Sequence, residues 1–297
     1  PVPYREGPQS ELPLWSIANT TSGTGGRGIT IGTNNYVSAN AANVEGDCPA
    51  PLYLVIQNTS GAALSPASFY FGNNADNWDN SDPSEQATNL YVTSGSGSIA
   101  LSSAWSDLES FTFSDTWVYQ MAGRRFRILA ITNGLTATTD WFRAQIRDST
   151  VTLWQSNVGV RGGTTELLDM GAAPIPPGGY RLNYNSMTVT VQGYGSGSVD
   201  FTRLFAIGAD SFAKIHQRGG SLGTSEYLEF NWIDDLFWLY TGGTLRRSLF
   251  SSPSGQLMVF PGRDQRIYTM FDEQDGNCPT TSTLTVQAYY RPRRLVV

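Results

Sequence analysis

A chain of 297 residues, 40% of them hydrophobic, suffices for one large or two medium domains with a real core, which excludes disorder as its default state. Only 15% of residues are charged and the net charge is −6, which argues against a nucleic-acid binder with a basic footprint. No apolar run approaches the roughly 20 residues of a membrane span, and the start at Pro1 lacks the basic and apolar regions of a signal peptide.

Residues 1–12 hold three prolines and no periodicity, and read as an extended N-terminal arm, laid on a neighbouring subunit or loose. Short strands are expected at 14–17, 29–31 and 36–37. Gly46-Asp47-Cys48-Pro49-Ala50-Pro51 is a stiff joint, since proline cannot continue a sheet ladder. Residues 52–58 follow as a strong strand and 68–71 as another. Asn73 to Glu85 is a polar loop of Asn and Asp around Trp78. Residues 104–110 form the best candidate for a helical turn.

The central stretch runs from Gly123 to Gly171. Phe126, Ile128 and Ala130 alternate with Arg125 and Arg127; Phe142, Ala144 and Ile146 alternate with Arg143, Gln145 and Arg147. A period of two with β-branched and aromatic residues marks half-buried strands. Thr132-Asn133-Gly134 and Arg161-Gly162-Gly163 supply turn chemistry. Residues 187–192 and 199–205 read as a hairpin. Beyond Phe212 strands come in quick succession, at 226–230, 236–240, 256–260, 266–271 and 283–290. Short strands, Gly/Pro-rich turns and no helical period give an all-β protein built of antiparallel sandwiches.

Chemistry is sparse. His216 is the only histidine, and no G-x-S-x-G elbow accompanies it, so it reads as a structural polar contact. Of the carboxylate pairs, Asp107/Glu109, Glu166/Asp169 and Asp234/Asp235, the last sits between apolar runs and reads as a turn. Asp76, Asp79, Asp82 and Glu85 offer oxygen ligands for a structural Ca2+, although their spacing departs from the EF-hand pattern. The two cysteines, Cys48 and Cys278, are either two thiols or one disulfide. Most tryptophans are expected in the core. Trp78, between Asn77 and Asp79, is the one expected to be exposed and to touch a glycan or a partner. Arg125, Arg127 and Arg143, with Arg124 and Arg147, read as the polar face of one sheet, pairing with acidic loops of a neighbouring copy.

The order of pieces over residues 46–212 resembles jelly-roll modules of the carbohydrate-binding type. It comprises the strand after Gly46-Asp47-Cys48-Pro49-Ala50-Pro51, Gly123 to Ala130, Trp141 to Asp148, Thr164 to Pro177, and a closing hairpin ending at Ile207. With the C-terminal Pro261 to Phe271 and Tyr290-Arg291-Pro292-Arg293, residues 13–297 resemble tail and other virion structural proteins of tailed bacteriophages. The resemblance implies a nested arrangement: an arm (1–12), strands at 13–45 pairing with a smaller C-terminal β domain (213–297), and a jelly-roll sandwich inserted between them (46–212). A Cys48–Cys278 disulfide would then tie the ends of the nested domain. The implied function is a non-enzymatic structural protein of the virion. It would assemble as a homo-oligomer with tail or capsid proteins, without nucleic acid or membrane as partners. The alternatives are a host-glycan-binding module and a glycoside hydrolase.

Overall fold

A computed structural model describes residues 4–16, 19–31, 35–76, 91–92, 98–112, 125–133, 140–156, 165–174, 187–216, 221–224, 226–241, 244–247, 254–273 and 282–296. These residues are all-β. Their one helical element is a single 3-10 turn at Ala41–Asn43, and no helix is long and apolar enough to cross a membrane. The chain divides into two compact units. Unit 1 is Pro1–Ala87, Asp210–Gln274 and Pro279–Val297; unit 2 is Thr88–Ala209 with Asp275–Cys278.

Unit 1 begins with β1 (Tyr4–Glu6), β2 (Ser10–Glu11), β3 (Leu14–Ser16), β4 (Asn19–Gly23), β5 (Arg27–Thr30), β6 (Tyr36–Ala39), β7 (Ala50–Asn58) and β8 (Pro66–Asp76). Unit 2 holds β9 (Tyr91–Val92), β10 (Ile99–Ala100), β11 (Ser106–Thr112), β12 (Arg125–Asn133), β13 (Trp141–Asp148), β14 (Val151–Gln155), β15 (Thr165–Pro174), β16 (Met187–Tyr194) and β17 (Ser198–Gly208). Unit 1 resumes with β18 (Ser211–His216), β19 (Tyr227–Asn231), β20 (Leu236–Thr241), β21 (Thr244–Arg247), β22 (Ser254–Gln256), β23 (Met258–Val259), β24 (Asp264–Glu273), β25 (Thr283–Tyr290) and β26 (Arg293–Leu295).

Unit 1 has two large sheets, ordered β22-β18-β8-β24-β6-β3-β4 and β2-β25-β7-β19-β20-β21, with β5 also on β25 and β23 on β7, and the two-stranded sheet β1-β26. Alternation sets their inner faces: in β25, Leu284, Val286, Ala288 and Tyr290 are buried between half-buried neighbours. The sheets meet through aromatic rings. Phe69 and Phe71 of β8 lie 5.1 and 4.8 Å from Phe230 of β19, and Phe71 lies 5.3 Å from Trp232. Each such buried ring is worth roughly 1.5–3 kcal/mol over its exposed state. Gln265 is buried because it ties down the turn before β24: its amide donates to the Phe260 carbonyl at 2.7 Å and accepts from the Phe260 N–H at 3.0 Å.

Several expectations need correction. The strand after the Cys48 joint belongs to unit 1, because β7 carries ladders to both β25 and β19. The insertion therefore starts after β8 and not at residue 46, and the unit built from the terminal segments is the larger one. The N-terminal arm packs on its own chain: β1 pairs with β26, β2 pairs with β25, Leu12 is buried, and Glu6 pairs with Arg293 at 3.0 Å. Residues 106–112 form the strand β11, on a ladder from β16, and not a helical turn.

In unit 2 one sheet runs β10-β17-β12-β15 with β9 on β17, and the other runs β11-β16-β13-β14. β16 and β17 lie in different sheets, so residues 195–197 carry the chain across and do not close a hairpin. The same holds for β12 and β13. The local hairpin is β13–β14, where Ser149 takes φ 54° at the first position of a two-residue turn between Asp148 and Val151.

Candidate functional site

The outward face of β11-β16-β13-β14 carries the most developed side-chain constellation of unit 2. Alternation along β13 buries Phe142, Ala144 and Ile146 and turns Trp141, Arg143, Gln145 and Arg147 to the other side. Ladder register sets Arg143 opposite Gln192 of β16, and Gln192 opposite Asp107 of β11. Trp141 stands opposite Tyr194.

A hydrogen-bond chain crosses this face. Arg143 Nε donates to Gln192 Oε1 at 2.6 Å, and Gln192 Nε2 donates to Asp107 Oδ1 at 2.6 Å. Arg147 grips the same carboxylate with two nitrogens, at 2.6 and 2.9 Å, and its Nε donates to Gln145 Oε1 at 2.8 Å. Gln145 in turn donates to Gln155 Oε1 at 2.6 Å. The bidentate geometry is the strong form of the pair. The Arg147 bonds hold the Asp107 carboxyl below its ordinary range and push the Arg147 guanidinium up; burial, then the field of Arg147, lowers Arg143.

Arg143 also stacks its guanidinium 4.2 Å from the Trp105 ring centroid, and the Trp105 and Tyr194 rings lie 5.9 Å apart. These rings are open to solvent: Trp141 is 51% exposed, Trp105 39% and Tyr194 39%. Asp140, fully buried at the head of β13, accepts from the Ser196 N–H at 3.2 Å and pins the 195–197 crossing beside Tyr194. The result is an aromatic platform edged by polar groups held in one arrangement by their own hydrogen bonds.

Arg143 is thus part of a site, but Arg125 and Arg127 are not part of the same one. The four described arginines do not share a face, because β12 and β13 lie in opposite sheets. Arg127 pairs with Asp169 of β15 at 2.7 and 2.8 Å, and Arg125 is exposed at the end of β12. Arg127 and Arg147 therefore have acidic partners within the chain. Arg124, Asn77, Trp78, Asp79, Asp82, Glu85 and Cys278 lie outside the described residues, and Asp76 closes β8. Among the described residues no three metal-binding groups stand close enough to hold an ion. Cys48 is half-buried, bridges to Arg293, and has no disulfide partner among the described residues. The expectation that most tryptophans are buried does not hold for Trp105 and Trp141. For Trp141 a signal existed: it has the parity of Arg143 and Arg147.

His216 joins Ser68 and Asp272 in one cross-strand row, with Ser68 in the middle. Ser68 Oγ lies 2.7 Å from His216 Nδ1. Burial, then Lys214, lowers the His216 imidazole, and burial raises the Asp272 carboxyl. A hydrolytic triad places the imidazole between hydroxyl and carboxylate; here the hydroxyl takes that place. Asp234 and Asp235 lie in the exposed turn between β19 and β20, and Asp234 is 3.7 Å from Arg291.

No family model matches the chain, and no curated protein matches it. Solved structures similar to it include the Gx strain of infectious bursal disease virus (10% identity, 97% of this chain and 81% of that one covered, TM-score 0.22). Others are infectious bursal virus-derived T=1 particles (9%, 99% and 79%, TM-score 0.21) and the VP2 subviral particle of infectious bursal disease virus (10%, 99% and 82%, TM-score 0.19). TM-scores of this size establish no common fold.

Proposed function

We propose that the chain is a non-enzymatic structural protein of a tailed-bacteriophage virion, docking through the Trp105–Trp141–Tyr194 face of unit 2 on copies of itself or on tail or capsid proteins. The observation that carries this reading is the exposed aromatic trio, with Arg143 stacked on Trp105. Tryptophan, tyrosine and arginine are the residue types that dominate interface hot spots, and a surface held rigid by its own hydrogen bonds loses little entropy on docking. Two features support it. The resemblance over residues 13–297 is to virion proteins. The interleaved orders β10-β17-β12-β15 and β11-β16-β13-β14 match a jelly roll of two Greek keys, an architecture used by capsid and lectin domains alike. Because that architecture serves both, the site carries more weight than the fold.

A second reading, a host-glycan module, draws on the same face, since exposed rings beside ordered Arg, Gln and Asp side chains also suit a sugar. Sedimentation velocity of the wild type against Trp141→Ala separates the two. Self-association weakened about 30-fold or more in the variant, at unchanged melting temperature, is the expected result for a hot spot worth about 2 kcal/mol. A wild type that stays monomeric yet binds a glycan array through Trp141 would replace the assembly reading with the second.

A further inference from the structure

The outward face of the other well-formed sheet, β25-β7-β19-β20 in unit 1, has a different chemistry. Register places three rows of side chains across it. The first sets Tyr289 opposite Tyr53, with rings 5.3 Å apart. The third runs through Gln57, Tyr227 and Tyr240, and the Tyr227 and Tyr240 rings lie parallel within 6° at 4.9 Å. Between them run Gln287, Val55 and Glu229. Glu229 is diagonal to both tyrosine pairs, and burial, then the field of its carboxylate, raises the phenols of Tyr53 and Tyr240. Loop residues Gln9 and Gly26 form the rim of a cleft of about 640 Å³, within the size range of small-molecule sites.

We infer that this cleft is a binding site for a neutral saccharide, a function separate from docking through unit 2. Three properties select that ligand class. The lining is dense in groups that match sugar hydroxyls: phenols and glutamine amides donate, while Glu229 and the amide oxygens accept. Among the described residues no lysine or arginine lines the cleft while Glu229 does, so phosphates, uronic acids and sialic acids meet a like charge. Among the described residues Val55 is the one aliphatic side chain lining it, which gives no apolar anchor of the kind a peptide hot spot fills. The tyrosine rings supply the apolar flank for sugar C–H groups, and their mutual packing holds them in place before any ligand arrives.

Saturation-transfer NMR and calorimetry on the intact chain test this. The probes are maltotriose, cellotriose, mannotriose and N,N′,N″-triacetylchitotriose as neutral ligands, and trigalacturonate as the anionic one. At least one neutral trisaccharide binds and trigalacturonate does not. Glu229→Gln, which keeps the shape and removes the charge, weakens binding about tenfold, a typical loss for one charge-assisted hydrogen bond. Gln287→Ala, in the middle row opposite Val55, provides the same readout should Glu229→Gln fail to fold. Binding survives Trp141→Ala, which separates this cleft from the unit 2 face. The inference is overturned by a folded wild type that binds none of the neutral probes, by preference for trigalacturonate, or by equal affinity in a folded Glu229 or Gln287 variant. Loss of binding in Trp141→Ala alone would also overturn it.

Discussion

Asp107 and Asp272 show how two carboxylates in one chain respond to pH in opposite senses. Asp107 has a folded value held down by Arg147, so its contribution is present above the ordinary carboxylate range and lost as pH falls through the folded value. Thermal unfolding of unit 2 followed on acidification should show a falling midpoint that flattens in Asp107→Asn. Asp272 is raised by burial, so its contribution is full below the ordinary carboxylate value and lost as pH rises through the raised one. One of its oxygens is buried without a hydrogen bond among the described residues. Asp272→Asn should therefore stabilise the protein at neutral pH by about 1 kcal/mol and lose that advantage in acid, as read from denaturant midpoints at both pH values. His216 acts in the acid direction too: its lowered imidazole makes stability fall as pH drops below the ordinary histidine value.

Strands rather than turns govern this fold. Truncating Phe230, which touches rings of both β8 and its own strand's end, should cost about 3–5 kcal/mol in chemical denaturation. Ser149 sits at φ 54° without glycine's freedom; Ser149→Gly should stabilise unit 2 by about 0.5–1 kcal/mol, checked by the same measurement. The alternation in β12, β13 and β25 was legible because burial on one face writes a period of two directly into sequence. Pairing was not. Thr132 and Asn133, read as part of a hairpin turn, are the last residues of β12 and pair in its ladders, and the next strand joins the opposite sheet; that choice depends on β15, β16 and β17, far away in sequence. Residues 104–110 show the same limit: Trp105, Leu108 and Glu109 mimic a helical stripe, and a long-range ladder from β16 overrides it. Of the site, Arg143 was visible as an outward residue, whereas the Gln192 and Asp107 that fix it come from two other strands.

At the scale of the molecule, unit 2 interrupts unit 1 between β8 and β18, and unit 1 seals that gap itself. Asp210 N–H donates to the Asn73 carbonyl and its carboxylate accepts from the Ala75 N–H, both at 3.0 Å, so the chain re-enters beside the strand it left. Replacing residues 88–209 by a short flexible linker should leave unit 1 folded, with its far-ultraviolet dichroism retained and one cooperative transition in place of two. The described residues present two outward sheet faces of contrasting chemistry, one open and aromatic, the other a phenol- and amide-lined cleft. The aromatic face is the proposed assembly surface. Electron cryomicroscopy of assemblies formed by the wild-type chain decides this: Trp105, Trp141 and Tyr194 should be buried against a neighbouring copy or another virion protein, and assemblies in which that face stays open to solvent would rule the proposal out.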